Sequence, residues 1–257
     1  VERHEGGGVK FINTLVFEER PPTPYVIDGI LEEKAQAMLH GLPHSGKSYL
    51  AIDFAYCIAL GLPWHGRAVQ QGTVIYIAAE GGNGMPKRIK AWRLAHGIDL
   101  KAPTPLWLVE PGFDPLDEKA VKLFIDGALM LPSPVRLIIF DTWARCLAKG
   151  QANENDNAEM GQAFNSLELI QQATGAIVLL LHHQGHTHGR ARGSSVFSAN
   201  VDTEFEMAEL TGKIHRLRNL KQKNSMTFED MKFRFDVEPT FDAAFLVLTD
   251  GELPAES

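Results

Sequence analysis

Gly41-Leu42-Pro43-His44-Ser45-Gly46-Lys47-Ser48 matches the pattern G-x-x-x-x-G-K-[ST] at every fixed position. Small residues at the turns let successive backbone N–H groups point at phosphate oxygens, and the N-terminus of a following helix adds its own donors. Lys47 is expected to reach the β- and γ-phosphates and the Ser48 hydroxyl to ligate Mg²⁺. Gly41, Pro43, His44, Ser45, Gly46, Lys47, Ser48 and Tyr49 are thus the expected nucleotide-binding set. A second chemical residue is Asp141, which closes the apolar run Val135–Phe140 and could accept from a water or hydroxyl in a Mg²⁺ shell.

Hydrolysis also needs a group to orient or deprotonate the attacking water. Thr142 follows Asp141, so that strand supplies no adjacent glutamate. Glu80 ends another apolar run and is the candidate, because an idle charge is costly there; the plainer alternative is a solvated residue opening a glycine loop. His182 and His183 admit several readings. One ring could sense the terminal phosphate, the pair could join His186 and His188 in binding a metal, or both could simply end a strand. The stretch Lys213–Lys223 holds five Lys or Arg in eleven residues, Arg218, Lys221 and Lys223 among them. These cations serve either phosphates, of nucleic acid or of a neighbouring subunit's nucleotide, or a solvated strand edge. Arg190-Ala-Arg192-Gly-Ser-Ser195 poses the same choice. In Pro86–Arg93 the helical spacing turns Ile89 and Trp92 inward and leaves Lys87, Arg88 and Lys90 mainly solvated.

The elements needed to position these groups are legible in order. An apolar strand at Ala37–Leu39 feeds the glycine loop, and a helix from Tyr49 to Leu60 stops at Gly61 and Pro63. Further strands are expected at Gly72–Ala79, Pro105–Val109, Val135–Phe140 and Ala176–Leu181. Helices alternate with them at Met85–His96, Pro115–Met130 and Asn157–Thr174. Continuously apolar strands alternating with helices describe an α/β fold with a parallel sheet covered on both faces. From Val201 onward short strands joined by polar turns (203–210, 214–220, 231–237, 244–248) suggest an antiparallel extension. Residues 1–30 read as a lead-in, with a strand candidate at Lys10–Phe17.

With 257 residues, 44% hydrophobic and 22% charged, the chain fits one soluble domain spanning 1–257. No apolar run reaches membrane-spanning length and the opening residues show no signal peptide, so no membrane partner is expected. Two cysteines form no framework and fit a reducing cytosol. A net charge of −7 gives no global attraction to nucleic acid but leaves room for a local basic surface.

Together, Gly41–Ser48, Tyr76–Glu80, Ile138–Thr142, Leu179–His183 and Arg192–Ser195 resemble the RecA-like P-loop ATPases. More narrowly they resemble RepA-type hexameric replicative helicases and related ATPases of phages and mobile elements, over about residues 24–225. That resemblance implies a RecA-like core in a bacterial or phage-infected cytoplasm, with ATP and Mg²⁺ bound between subunits of a homo-oligomeric ring such as a hexamer. Hydrolysis would drive movement on single-stranded DNA in replication. It further implies Asp141 as the Walker B acid, Glu80 as the water-activating group, and His182 or His183 as the link from γ-phosphate to DNA-binding loops. The family's trans-acting arginine, ten residues beyond Arg192, is replaced here by Asp202. Lys221-Gln-Lys223 instead matches the Lys-x-Lys pair of other RecA-like relatives, with Arg218 behind it. An ATP-driven loader or assembly switch, or a small-molecule phosphotransferase, are the alternative uses of the same loop.

Overall fold

Strands rich in Val, Ile and Leu, alternating with helices, build the sheet that carries the glycine loop. The computed structural model describes residues 3–6, 9–79, 84–150, 152–154, 156–183, 196–210 and 213–250. In the lead-in, β1 (Arg3–Gly6) and β2 (Val9–Ile12) form a hairpin before a short helix α1 (Thr14–Glu18), and β3 (Tyr25–Ile27) pairs with β4 (Leu31–Glu32). The expected strand at Lys10–Phe17 is corrected accordingly. It breaks at Asn13, whose side chain accepts from the Leu15 N–H and starts α1.

The central units are β5 (Gln36–Gly41), α2 (Lys47–Leu60), β6 (Thr73–Ala78), α3 (Met85–Ala95), β7 (Leu106–Val109) and α4 (Glu118–Leu129). Then come β8 (Val135–Asp141), α5 (Trp143–Lys149), α6 (Asn157–Thr174), β9 (Ile177–His183) and α7 (Val196–Asn200). The chain finishes with β10 (Thr203–Glu209), β11 (Ile214–Gln222), β12 (Met231–Glu238) and β13 (Ala243–Leu248). Local signals set the helix limits. Asp117 and Asp156 accept from the first-turn N–H groups of α4 and α6, and Gly61 and Gly175 end α2 and α6 in the left-handed conformation. Helix α5 carried no such signal in the sequence; it buries Trp143, Cys146 and Leu147 against the sheet.

One nine-stranded sheet results, in the order β13-β12-β11-β10-β5-β9-β8-β6-β7. Strands β10, β5, β9, β8, β6 and β7 run parallel, and β11 to β13 continue the sheet antiparallel from β10. Side chains alternate between two cores. One face, with Leu39, Tyr76, Ile139 and Leu181, packs on α2 and α3; the other, with Met38, Ile138, Phe140 and Leu180, packs on α5 and α6. Helix α2 is apolar nearly all round and correspondingly buried, because the antiparallel extension curls over it: Phe233 meets Trp64, and Phe235 meets Tyr49. Both cysteines are buried free thiols, and burial pushes that of Cys146 up to about 12. Among the described residues no helix is long and apolar enough to cross a membrane.

One carboxylate inside this packing is structural. Asp53, fully enclosed on α2, accepts from the Trp64 indole at 2.8 Å, the Trp92 indole at 2.7 Å and His65 Nε2 at 2.9 Å. Truncation would strand two buried indole N–H groups at about 1–3 kcal/mol each. Asp53→Ala is therefore expected to lower the unfolding free energy by about 2–5 kcal/mol in urea titrations. A loss below about 0.5 kcal/mol would contradict this role.

Candidate active site

Strands β5, β9 and β8 all end on the same side of the sheet, β8 two residues short of the other two. Gly41 pairs with His183, and Asp141 with Leu181, so the glycine loop and the Asp141 carboxylate leave the same edge of the sheet. At that edge Pro43, His44, Gly46, Lys47, Ser48, Tyr49, Arg88, Asp141, Thr142 and His183 line an open cleft of ≈ 510 Å³.

The loop's glycines answer two separate demands. Gly41 passes so close to β10 that a Cβ would lie 2.2 Å from the Met207 carbonyl oxygen. Gly46 has φ 102°, and a Cβ there would meet the Phe235 ring at 2.8 Å. No side chain caps α2, whose first residue is Lys47, so its leading N–H groups are left to a ligand. The buried Lys47 ammonium donates to the Gly41 and Leu42 carbonyls at 2.9 and 2.8 Å. An entering phosphate competes with neutral acceptors there, and charge assistance favours the phosphate.

The extension holds the loop from behind. His215 on β11 donates from Nδ1 to the Ser45 carbonyl at 2.9 Å, and the Tyr49 and Phe235 rings pack 4.8 Å apart. Sequence reasoning missed both His215 and Phe235, since each comes from an element distant in the chain. It also left Arg88 in solvent. Instead the first turns of α3 place its guanidinium in the cleft, 4.7 Å from the Tyr49 ring centroid.

Asp141 is buried and accepts from the Tyr76 hydroxyl at 2.5 Å. Tyr76 is fully enclosed; burial first, and then the Asp141 charge and hydrogen bond, push its phenol well above the ordinary value. The histidine pair splits by strand alternation. His183 faces the cleft, whereas His182 points to the other core and stacks on Phe197 with centroids 4.8 Å apart. On that second face His40 lies 3.2 Å from Glu204. Burial alone would raise the Glu204 carboxyl, but His40, Ser198 and Lys221 outweigh it and hold it below its usual value.

The basic stretch is occupied within the chain. Arg218 forks onto Asp230 at 3.1–3.2 Å, and Lys221 donates to the Ser198 and Val201 carbonyls at 2.7 and 2.6 Å. Lys223 pairs with Asp202 at 3.0 Å. Glu80, Arg192, His186 and His188 lie outside the described residues, and among the described ones no group of three or more His, Cys, Asp or Glu could hold a metal ion.

A glycine loop at the N-terminus of a helix, with a carboxylate two strands away on a parallel sheet, defines a P-loop protein with a RecA-like fold. A family model described as an AAA domain matches residues 9–189, and the chain belongs to that family. Its fold is similar to that of a crystal structure of the RadB recombinase, with a TM-score of 0.56 at 14% identity, over 79% of this chain and 88% of that one.

Gly46→Ala places a methyl against Phe235 at a backbone angle that L-residues rarely adopt. It is expected to weaken nucleotide binding at least about tenfold, from strain of about 1–3 kcal/mol in the loop. Titration with a fluorescent nucleotide checks this, and unchanged affinity would contradict the loop's role.

Proposed function

We propose that the protein is a Mg²⁺-dependent ATPase that acts as an oligomer on single-stranded DNA, in the manner of a replicative helicase. The observation that carries the hydrolytic part is the convergence of the glycine loop, Lys47, Ser48, Arg88, Asp141 and His183 on one cleft. In this reading the loop N–H groups and the first turn of α2 bind the phosphates, and Lys47 offsets their charge. Ser48 and Asp141 present the hard oxygen donors that suit Mg²⁺, which when bound would supply charge neutralisation at the phosphoryl oxygens. Glu80, four residues beyond Tyr76 in the chain, is assigned to orient the attacking water, and His183 rather than His182 to respond to the terminal phosphate. Arg88 is assigned to the nucleotide.

Lys221 and Lys223, with Arg218 behind them, are assigned to the nucleotide of the next subunit in an assembly of one-domain chains. The present partners of Lys223 and Arg218 do not oppose that, whereas Lys221 would have to leave the Ser198 and Val201 carbonyls. Lys223 is 64% exposed in its pair with Asp202, and Arg218 is 42% exposed in its pair with Asp230. Ion pairs this wet contribute on the order of 0–1 kcal/mol and exchange readily for a phosphate. Arg192 is assigned to DNA phosphate from the sequence alone.

ATPase rate measured against protein concentration, with and without single-stranded DNA, tests the reading. The rate per chain is expected to rise with concentration and again with DNA, and Lys47→Ala to lower it by about 100-fold or more. Turnover by Lys47→Ala at the wild-type rate would remove the assigned site. Turnover indifferent to DNA but responsive to a protein partner would favour the loader or assembly switch. Lys223→Ala is expected to bind nucleotide normally as an isolated chain and to lose the rise with concentration. If the variant retains that rise, Lys223 is not the trans cation.

A further inference from the structure

Tyr76 takes no part in the scheme above, yet its hydroxyl lies at the centre of the site. On β6 it precedes Ala78, the Cα partner of Asp141 on β8, by two residues and projects from the same face. A diagonal neighbour at this spacing is within reach only of a long side chain. The tyrosine spans the gap and donates to Asp141 Oδ2 at 2.5 Å, with the Ser48 side chain as a further polar neighbour of the same phenol. The ring is locked in the core, 1% exposed, so the position of the hydroxyl is fixed by packing. A phenol also suits this place electrically. It holds a carboxylate by a hydrogen bond without cancelling its charge, as a lysine would, and Asp141 still lines the cleft.

We propose that Tyr76 is a positioning residue for the metal-nucleotide site, its hydroxyl holding the Asp141 carboxylate beside Ser48 in the orientation that accepts a divalent cation together with the nucleotide. This rests on the hydrolytic reading above. The expected consequence is confined to the metal-dependent part of binding, because the partners of the Tyr76 hydroxyl are Asp141 and Ser48, the two groups assigned to the cation, and not Lys47.

The test compares affinity for a fluorescent ATP analogue in excess Mg²⁺ and in EDTA, for the full chain and Tyr76→Phe. Affinity in EDTA is expected to agree within about twofold, while the gain on adding Mg²⁺ falls by about tenfold, the scale of a hydrogen bond to a charged group. An equal Mg²⁺ gain in both proteins overturns the proposal. So does an equal loss with and without metal, which would mark a role in packing alone. Asp141→Asn and the double variant Asp141→Asn, Tyr76→Phe provide the second comparison, in which no carboxylate is deprived of its donor. There the hydroxyl deletion is expected to change the Mg²⁺ gain by less than about twofold, and a further loss overturns the proposal. Wild-type protein that binds the analogue equally with and without Mg²⁺ overturns the hydrolytic reading itself, a result distinct from failure of Tyr76 alone.

Discussion

The register of three parallel strands is the constraint on which the site depends. Because β5, β9 and β8 are paired without a bulge at their carboxyl ends, Gly41 and His183 emerge side by side, with Asp141 two residues below them at the level of Leu181 and Leu39. A slip of one residue in any of them would turn its inward side chains to the opposite face. Both faces are buried, so such a slip would exchange side chains between two differently shaped, close-packed cores. The free energy that fixes the register is therefore that of the core, and the position of the functional groups follows from it.

The antiparallel strands are more than a sheet extension. By curling over α2 they bring His215 to the Ser45 carbonyl and Phe235 to Gly46 and Tyr49. A loop rich in small residues has few side chains with which to hold itself, and this contact supplies the missing support. Strand β11 carries Arg218 and Lys221, and Lys223 follows its last residue, so the glycine loop and the basic stretch belong to one packed unit. A displacement of β11 would be felt at both. Here the basic side chains are matched by Asp230, Asp202 and the carbonyls beside α7, which keeps a dense cluster of cations compatible with a folded isolated chain.

Two buried carboxylates are satisfied by geometry specific to this chain. Asp53 gathers two indoles and a histidine from separate segments, and buried Glu32 accepts from Asn224 at 2.8 Å and Ser225 at 3.1 Å, tying the end of β11 to the β3–β4 hairpin. Asp53 and Glu32 are each held by several hydrogen-bond donors, the condition under which such burial is tolerated.

Much of the architecture was legible in the residues because it is written locally. The apolar strands, the capped helices and the pattern from Gly41 to Ser48 are short-range signals, and each strand alternating with a helix allowed essentially one sheet type. The same local character let Asp141 be placed at a strand end. What the sequence could not fix was which side chains meet across distance. It put Arg88 in solvent, treated His182 and His183 as equivalent, and gave no reason to connect Tyr76, His215 or Phe235 with the phosphate loop. Those outcomes depend on strand alternation at the end of β9, on the direction of α3 and on the curl of β11 to β13. Composition and spacing determined that a phosphate-binding loop opens a helix on a parallel sheet. Only the packed sheet decided which residues surround it, because their proximity is set by the burial of both faces and not by separation along the chain.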